Sequence, residues 1–171
     1  MTAIKLVLVL GLVFAPLGVA QRPGDVAPEF TLTDSSGAVV RMSDFQGEPV
    51  LLNFWATWCP PCADELPLFQ EVADETPLTV LLVNMGEGQA RAAAYLGANS
   101  LSLRTAVDGV GSAQLESVEG TLEVAQRYRV LGLPTSFFVG ADGVVAGVSV
   151  GPLTPQLLAE QLRVIGVDWQ P

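Results

Sequence analysis

At 171 residues, half of them hydrophobic, the chain is long enough to bury one substantial core. Its formal charge is −10, and from Gln21 onward seven arginines and no lysine face eighteen Asp and Glu, which disfavours nucleic acid and anionic lipid as partners. Histidine is absent, which excludes Ser-His and Cys-His catalysis and removes the commonest metal ligand.

Lys5 precedes an apolar run, Leu6 to Ala15, and Gly18 and Ala20 are small residues where a signal peptidase would read. The stretch from Leu6 to Ala20 is shorter than the about 20 residues a membrane-spanning helix needs. Residues 1–20 are therefore read as a signal peptide, with an uncleaved anchor as the alternative because Thr2 to Ile4 adds little polarity, and residues 21–171 as a single domain. Pro23 to Pro28 is an irregular lead. Phe30 to Thr33, a turn at Asp34-Ser35-Ser36-Gly37, and Ala38 to Met42 predict a β-hairpin. Ser43-Asp44-Phe45 predicts one helical turn before Gly47. Val50 to Ala56 is apolar except for Asn53 and reads as a central strand buried on both faces. From Ala63 to Thr76 the spacing of Leu66, Phe69 and Val72 predicts a helix, with Pro67 kinking it. There follow a strand at Leu78 to Asn84, a helix at Gln89 to Leu96, a strand at Leu101 to Val107, a loop from Asp108 to Gly120 and a short helix at Thr121 to Tyr128. Thr135 to Val139 and Val144 to Val150 form a second hairpin around Ala141-Asp142-Gly143. Thr154, as N-cap, and Pro155 open a last helix ending at Ile165. The order predicts an α/β domain with a mixed central sheet, helices on both faces and an added N-terminal β-hairpin.

The only two cysteines stand in Trp58-Cys59-Pro60-Pro61-Cys62, between the central strand and the first long helix. Two thiols at i and i+3 across a strand-to-helix turn close a small ring and reopen it, the geometry of a thiol–disulfide switch. A purely structural disulfide is the weaker reading, because so short a ring restricts the unfolded chain little. Zinc needs four ligands, and one chain supplies two sulfurs and no histidine, so no metal and no cofactor are expected.

These residues resemble the thioredoxin superfamily, and within it the extracytoplasmic thiol–disulfide proteins of the TlpA, ResA and DsbE type. The resemblance covers about Pro23 to Ile165. It rests on Asn53-Phe54-Trp55-Ala56-Thr57-Trp58-Cys59-Pro60-Pro61-Cys62, Glu65-Leu66-Pro67, Tyr128 to Thr135, Asp142-Gly143 and Gly151. It implies a redox disulfide Cys59–Cys62, with Cys59 attacking and Cys62 resolving. Pro134 matches the cis-proline beside the disulfide and Pro67 the helix-kinking proline. Glu65 matches an acidic residue near the active site of the ResA and DsbE branch. Asn53 occupies the place of a buried aspartate in thioredoxin itself, a departure from a proton-accepting Asp.

Cys59 should then sit at a helix start, exposed, with Cys62 beneath it; the N–H groups there stabilise a thiolate. Glu65 would exchange the proton of Cys62 or raise the sulfur pKa; the bland reading is a solvated helix face. Leu133 and Pro134 would pair with an extended substrate, and Trp58 would shield the sulfur or contact substrate. Trp55 is read as core, and Asn53 as a satisfied buried polar residue rather than a catalytic one. The implied activity is reduction of protein disulfides outside the cytoplasm, in the periplasm or cell envelope, by a secreted or membrane-tethered protein. The implied partners are disulfide-bearing proteins, oxidised apocytochrome c among them, and a membrane thiol electron donor. Two rivals stand beside this. The lead from Gly24 to Gly47 also resembles peroxiredoxins, although Cys59 occupies the place of the Thr that family wants three residues before its peroxidatic cysteine. The other rival is a non-catalytic binding module on the same fold.

Overall fold

The computed structural model describes residues 21–109 and 122–171. The expected signal segment, residues 1–20, and all of the Asp108 to Gly120 loop but its first two residues lie outside them.

The element order is β1 (Thr31–Thr33), β2 (Val39–Arg41), a 3-10 turn at Met42–Phe45, β3 (Val50–Trp55), α1 (Pro60–Glu75), β4 (Thr79–Met85) and α2 (Gln89–Ala98), then β5 (Arg104–Asp108), α3 (Glu123–Tyr128), β6 (Thr135–Val139), β7 (Val145–Val150) and α4 (Pro155–Val164). Five strands form one sheet in the order β5-β4-β3-β6-β7. Strands β3, β4 and β5 run parallel, β6 is antiparallel to β3, and β7 is antiparallel to β6. The expected mixed α/β sheet is the one observed.

Side chains alternate along β3, so its two faces feed two cores. Leu51 and Trp55 pack against Leu66, Phe69 and Val72 of α1, Ala92 and Leu96 of α2, and Leu158 and Leu162 of α4. Val50, Leu52 and Phe54 pack against Val124 and Tyr128 of α3 and against Phe30, Leu32 and Val40 of the N-terminal hairpin. Among the described residues the second face thus carries one short helix, and the hairpin covers the rest of it.

That hairpin is tied to the edge strand. Asp34 Oδ1 accepts the peptide N–H groups of Ser36 and Ala38, each at 3.0 Å, and the Ser36 hydroxyl at 2.6 Å. Arg104 Nε of β5 donates to Asp34 Oδ2 at 2.8 Å, and the Ser35 N–H donates to the Thr105 carbonyl at 2.9 Å. Gly37, at φ +87°, closes the turn in a conformation that costs glycine nothing.

Two expected boundaries move by three residues. The third parallel strand begins at Arg104 rather than Leu101, because the Leu101 N–H goes to the Leu96 carbonyl and the Ser102 N–H to Gln70 Oε1. Helix α1 begins at Pro60 rather than Ala63, so the whole Cys-Pro-Pro-Cys segment belongs to its first turn and cap.

Burial acts to raise the pKa of Asp34, but the hydrogen bonds from Ser36, Arg104 and the backbone of Ala38 and Ser36 outweigh it and hold the carboxyl below its ordinary value. A depressed pKa means stability that is present at neutral pH and lost as the pH falls through the native value. Asp34→Ala should therefore cost about 1–3 kcal/mol at neutral pH. Urea unfolding should show the gap from wild type closing in acid; a gap constant with pH would refute this account.

Candidate active site

The site stands at the carboxyl end of β3, where open α/β sheets place their ligands. Strand β3 is buried throughout, and the turn Ala56-Thr57-Trp58 leads from it to Cys59, the N-cap of α1. Pro60 and Pro61 occupy the first two helical positions and have no N–H. The first peptide donors of the helix are thus those of Cys62 and Ala63, which reach the Cys59 carbonyl, each at 3.1 Å. The Cys62 N–H also points at Cys59 Sγ, 3.3 Å away. An anionic sulfur at position 59 would meet that donor and the positive end of the helix.

Cys59 and Cys62 are joined in a disulfide, with Cα atoms 5.3 Å apart. The expected exposure of Cys59 is not met in this oxidised state: Cys59 is 5% exposed and Cys62 0%. Cys59 is nevertheless the more accessible of the two residues.

Glu65 is the group whose surroundings differ most from a helix surface. It is 3% exposed, which removes the solvated-face reading. Its Oε1 accepts from Asn53 Nδ2 at 2.9 Å and its Oε2 from the Leu153 N–H at 3.0 Å. Burial pushes its pKa up to about 7, against the opposing pull of the Leu153 and Asn53 hydrogen bonds. Asn53 itself is only partly satisfied, which corrects the expectation. Nδ2 donates to Glu65 and to Ser136 Oγ at 2.9 Å, while Oδ1 is buried without a partner.

The Leu133–Pro134 peptide is cis. The Pro134 carbonyl accepts from the Gly151 N–H at 2.9 Å. Among the described residues no hydrogen bond engages the peptide N–H or C=O of Leu133. Trp55 is core, its Nε1 directed at Thr105 Oγ1 at 3.4 Å and its ring 5.6 Å from that of Tyr95. Trp58 is 65% exposed beside the disulfide. Pro67 lies inside α1 with an exposed side chain and takes no part in the site. A cavity of about 240 Å³, lined by Glu29, Phe30, Asp108 and Val124 among others, adjoins the other core and holds no cysteine.

Sequence reasoning did not single out Ser136 or Leu153. Ser136 is a polar residue inside a buried strand, a signal that was present. Leu153 contributes a peptide N–H, which no side-chain pattern reveals.

The family model described as AhpC/TSA family matches residues 23–148. Thiol-disulfide oxidoreductase ResA of Bacillus thuringiensis subsp. konkukian (strain 97-27) is 32% identical over 145 residues, covering 83% of this chain and 78% of that protein. Sporulation thiol-disulfide oxidoreductase A of Bacillus subtilis is 32% identical over 121 residues, 67% of each chain. Among solved structures, a thio-disulfide isomerase from Thermus thermophilus superposes with a TM-score of 0.70 at 27% identity, covering 86% of this chain and 99% of its own.

A carboxyl whose native pKa is raised gives stability that is complete below its unfolded value and lost as the pH rises through about 7. Ionising Glu65 should therefore destabilise the oxidised protein by up to about 3 kcal/mol, each pKa unit being worth about 1.4. Glu65→Gln should match wild type in mild acid and exceed it above neutrality in urea unfolding. Parallel curves at every pH would contradict the burial argument.

Proposed function

The chain belongs to the AhpC/TSA family and is a thiol–disulfide oxidoreductase; on that premise we propose that it works as a reductase of protein disulfides outside the cytoplasm. The observation that carries this reading is the arrangement of the two cysteines. One sulfur caps a helix at the rim, the other lies sealed beneath it, and a buried carboxyl sits one helical turn further on.

In the proposed reaction the Cys59 thiolate attacks one sulfur of a substrate disulfide. That S–S bond breaks, a mixed disulfide forms on Cys59, and the first substrate thiolate leaves. Cys62 gives its proton to Glu65, and its thiolate attacks Cys59 Sγ. The Cys59–Cys62 disulfide closes and the second substrate thiolate departs, so two electrons have moved from the dithiol to the substrate. Leu133 supports this reading by offering an N–H and a C=O to an extended substrate, and Trp58 by offering an exposed apolar ring beside the sulfur. Asn53 holds Glu65 in place, Trp55 fills the core under the turn, and Pro67 shapes the helix.

The direction is supported by charge. The buried Glu65 carboxyl stands one helical turn after Cys62, and the chain has no histidine and, beyond Lys5, no lysine to favour a second thiolate. A location in the periplasm or cell envelope is supported by the sequence of residues 1–20, read as a signal peptide or an uncleaved tether, with residues 21–171 as the thioredoxin-like domain. A membrane thiol donor would return the two electrons, and oxidised apocytochrome c is a candidate substrate. Among the described residues no helix is long and apolar enough to cross a membrane.

Wild type should reduce insulin disulfides in the presence of dithiothreitol, Cys59→Ser should abolish the rate, and Cys62→Ser should accumulate a mixed disulfide visible by mass spectrometry. Hydrogen peroxide should not be consumed above the background of dithiothreitol alone. An equilibrium potential near that of the strong oxidants, about −120 mV, would reverse the proposed direction.

A further inference from the structure

The turn that carries Cys59 is gripped by a carboxylate that the reaction above does not use. Glu87 follows β4, its side chain is 7% exposed, and both of its oxygens address Thr57. Oε2 accepts the Thr57 peptide N–H at 2.6 Å and Oε1 accepts the Thr57 hydroxyl at 2.6 Å. Asn84 Nδ2 donates to Oε2 at 2.8 Å, and Arg91 Nε lies 3.2 Å from Oε1. Three donors and one guanidinium contact on two oxygens nearly exhaust what a carboxylate accepts. Burial acts to raise the pKa of Glu87, but Thr57, Asn84 and Arg91 outweigh it and keep the group ionised.

The surrounding chain aims the group. Gly86 and Gly88 flank it at φ +76° and +85°, a conformation open to glycine and strained for other residues. The Glu87 N–H returns to Asn84 Oδ1 at 3.1 Å, and Arg91 Nε reaches Thr57 Oγ1 at 3.3 Å. On the other side, Thr57 stands two residues before Cys59. Trp58 between them is too exposed to anchor the turn by packing, and the Cys59 N–H closes it onto the Ala56 carbonyl at 3.2 Å.

We propose that Glu87 is a positioning residue for Cys59: by holding Thr57 at both its peptide N–H and its hydroxyl, it fixes the turn so that the attacking sulfur stays registered on the first donors of α1. The inference rests on Cys59 being the attacking sulfur. Its physical content is geometric. If the turn slackens, Cys59 Sγ moves off the Cys62 N–H, the thiolate loses its stabilising donor, and attack slows. Removal of a nearby negative charge by itself works the other way, since it favours the thiolate.

That opposition of signs makes the test. In the full-length reduced protein, alkylation of Cys59 by iodoacetamide and reduction of insulin are measured for wild type, Glu87→Gln, Thr57→Val, Thr57→Ser and the double variant Glu87→Gln/Thr57→Val. Glu87→Gln and Thr57→Val should each slow alkylation and lower kcat/KM by about tenfold. Thr57→Ser, which keeps the hydroxyl, should behave as wild type, and the double variant should be no slower than the worse single one. Faster alkylation in Glu87→Gln with Thr57→Val unchanged would show that Glu87 acts by charge alone and overturn the proposal. So would unchanged rates in both singles, or effects that multiply in the double. If Glu87→Gln loses cooperative unfolding, the Thr57→Val and Thr57→Ser pair decides: slowing in Val alone supports the grip, and no slowing overturns it. Wild-type Cys59 that proved inert to iodoacetamide would instead remove the reaction assignment on which the inference stands.

Discussion

Glu65 is the constraint around which the site is arranged. A carboxyl closed off from water by its own helix loses most of its hydration, and the loss is tolerable only if donors replace the water. Here the donors come from two places distant in sequence. Asn53 lies on β3, Leu153 lies on the connection into α4, and Asn53 is in turn oriented by Ser136 on β6. The β3–β6 register sets Asn53 directly opposite Ser136, so the sheet pairing itself places the amide under α1. Displacement of β3 or of the Leu153 connection would leave a carboxylate oxygen unpaired, and displacement of β6 would leave an Asn53 amide hydrogen unpaired, each at about 1–3 kcal/mol. The carboxyl therefore ties the position of the cysteine helix to the sheet.

Above that carboxyl, the chemistry of the sulfurs is set by the backbone more than by side chains. A chain without histidine, and with its one lysine at position 5, has few cations with which to neutralise a thiolate. Placing Cys59 at the N-cap answers this with peptide dipoles, and the two prolines leave the Cys62 N–H as the first donor available to it. The N-terminal hairpin serves the same end from the other face. By covering Val50, Leu52 and Phe54 it lets β3 be buried on both sides, to the last residue before the turn that carries Cys59.

Most of this architecture was legible in the sequence where periodicity or turn chemistry carried it. The apolar run of β3, the Thr135–Val139 strand, the Asp34-to-Gly37 turn and the Thr154-Pro155 helix start were each visible and each lie within a residue or two of their observed places. The cysteine pair was legible as chemistry. What was not legible is instructive. Glu65 was legible as a candidate proton carrier one turn after Cys62, with a solvated helix face as the other reading, but only the packed structure shows its burial and the donors that meet it. The Leu153 N–H and the Glu87 grip on the Thr57 N–H use backbone groups, which every residue carries and no composition distinguishes. The start of β5 was misplaced because Leu101 and Leu103 look like strand, while the neighbouring helix end and Gln70 claim backbone N–H groups there.

The proposed direction of electron flow follows from which redox state the site penalises. Oxidised, the two sulfurs carry no charge and sit on the core with Glu65 free to hold or release its proton near neutrality. Reduced, Cys59 gains negative charge at the helix start, where it is welcome, but Cys62 remains fully enclosed next to a group that is itself partly ionised. A second thiolate there would face like charge in a poorly hydrated place, so the reduced pair is best held as one thiolate and one thiol. Resolution then requires the Cys62 proton to leave, and a carboxyl titrating near neutrality is matched to receive it. In the proposed direction, closing the disulfide leaves no enclosed sulfur that must ionise beside Glu65, which supports the dithiol as a donor of electrons.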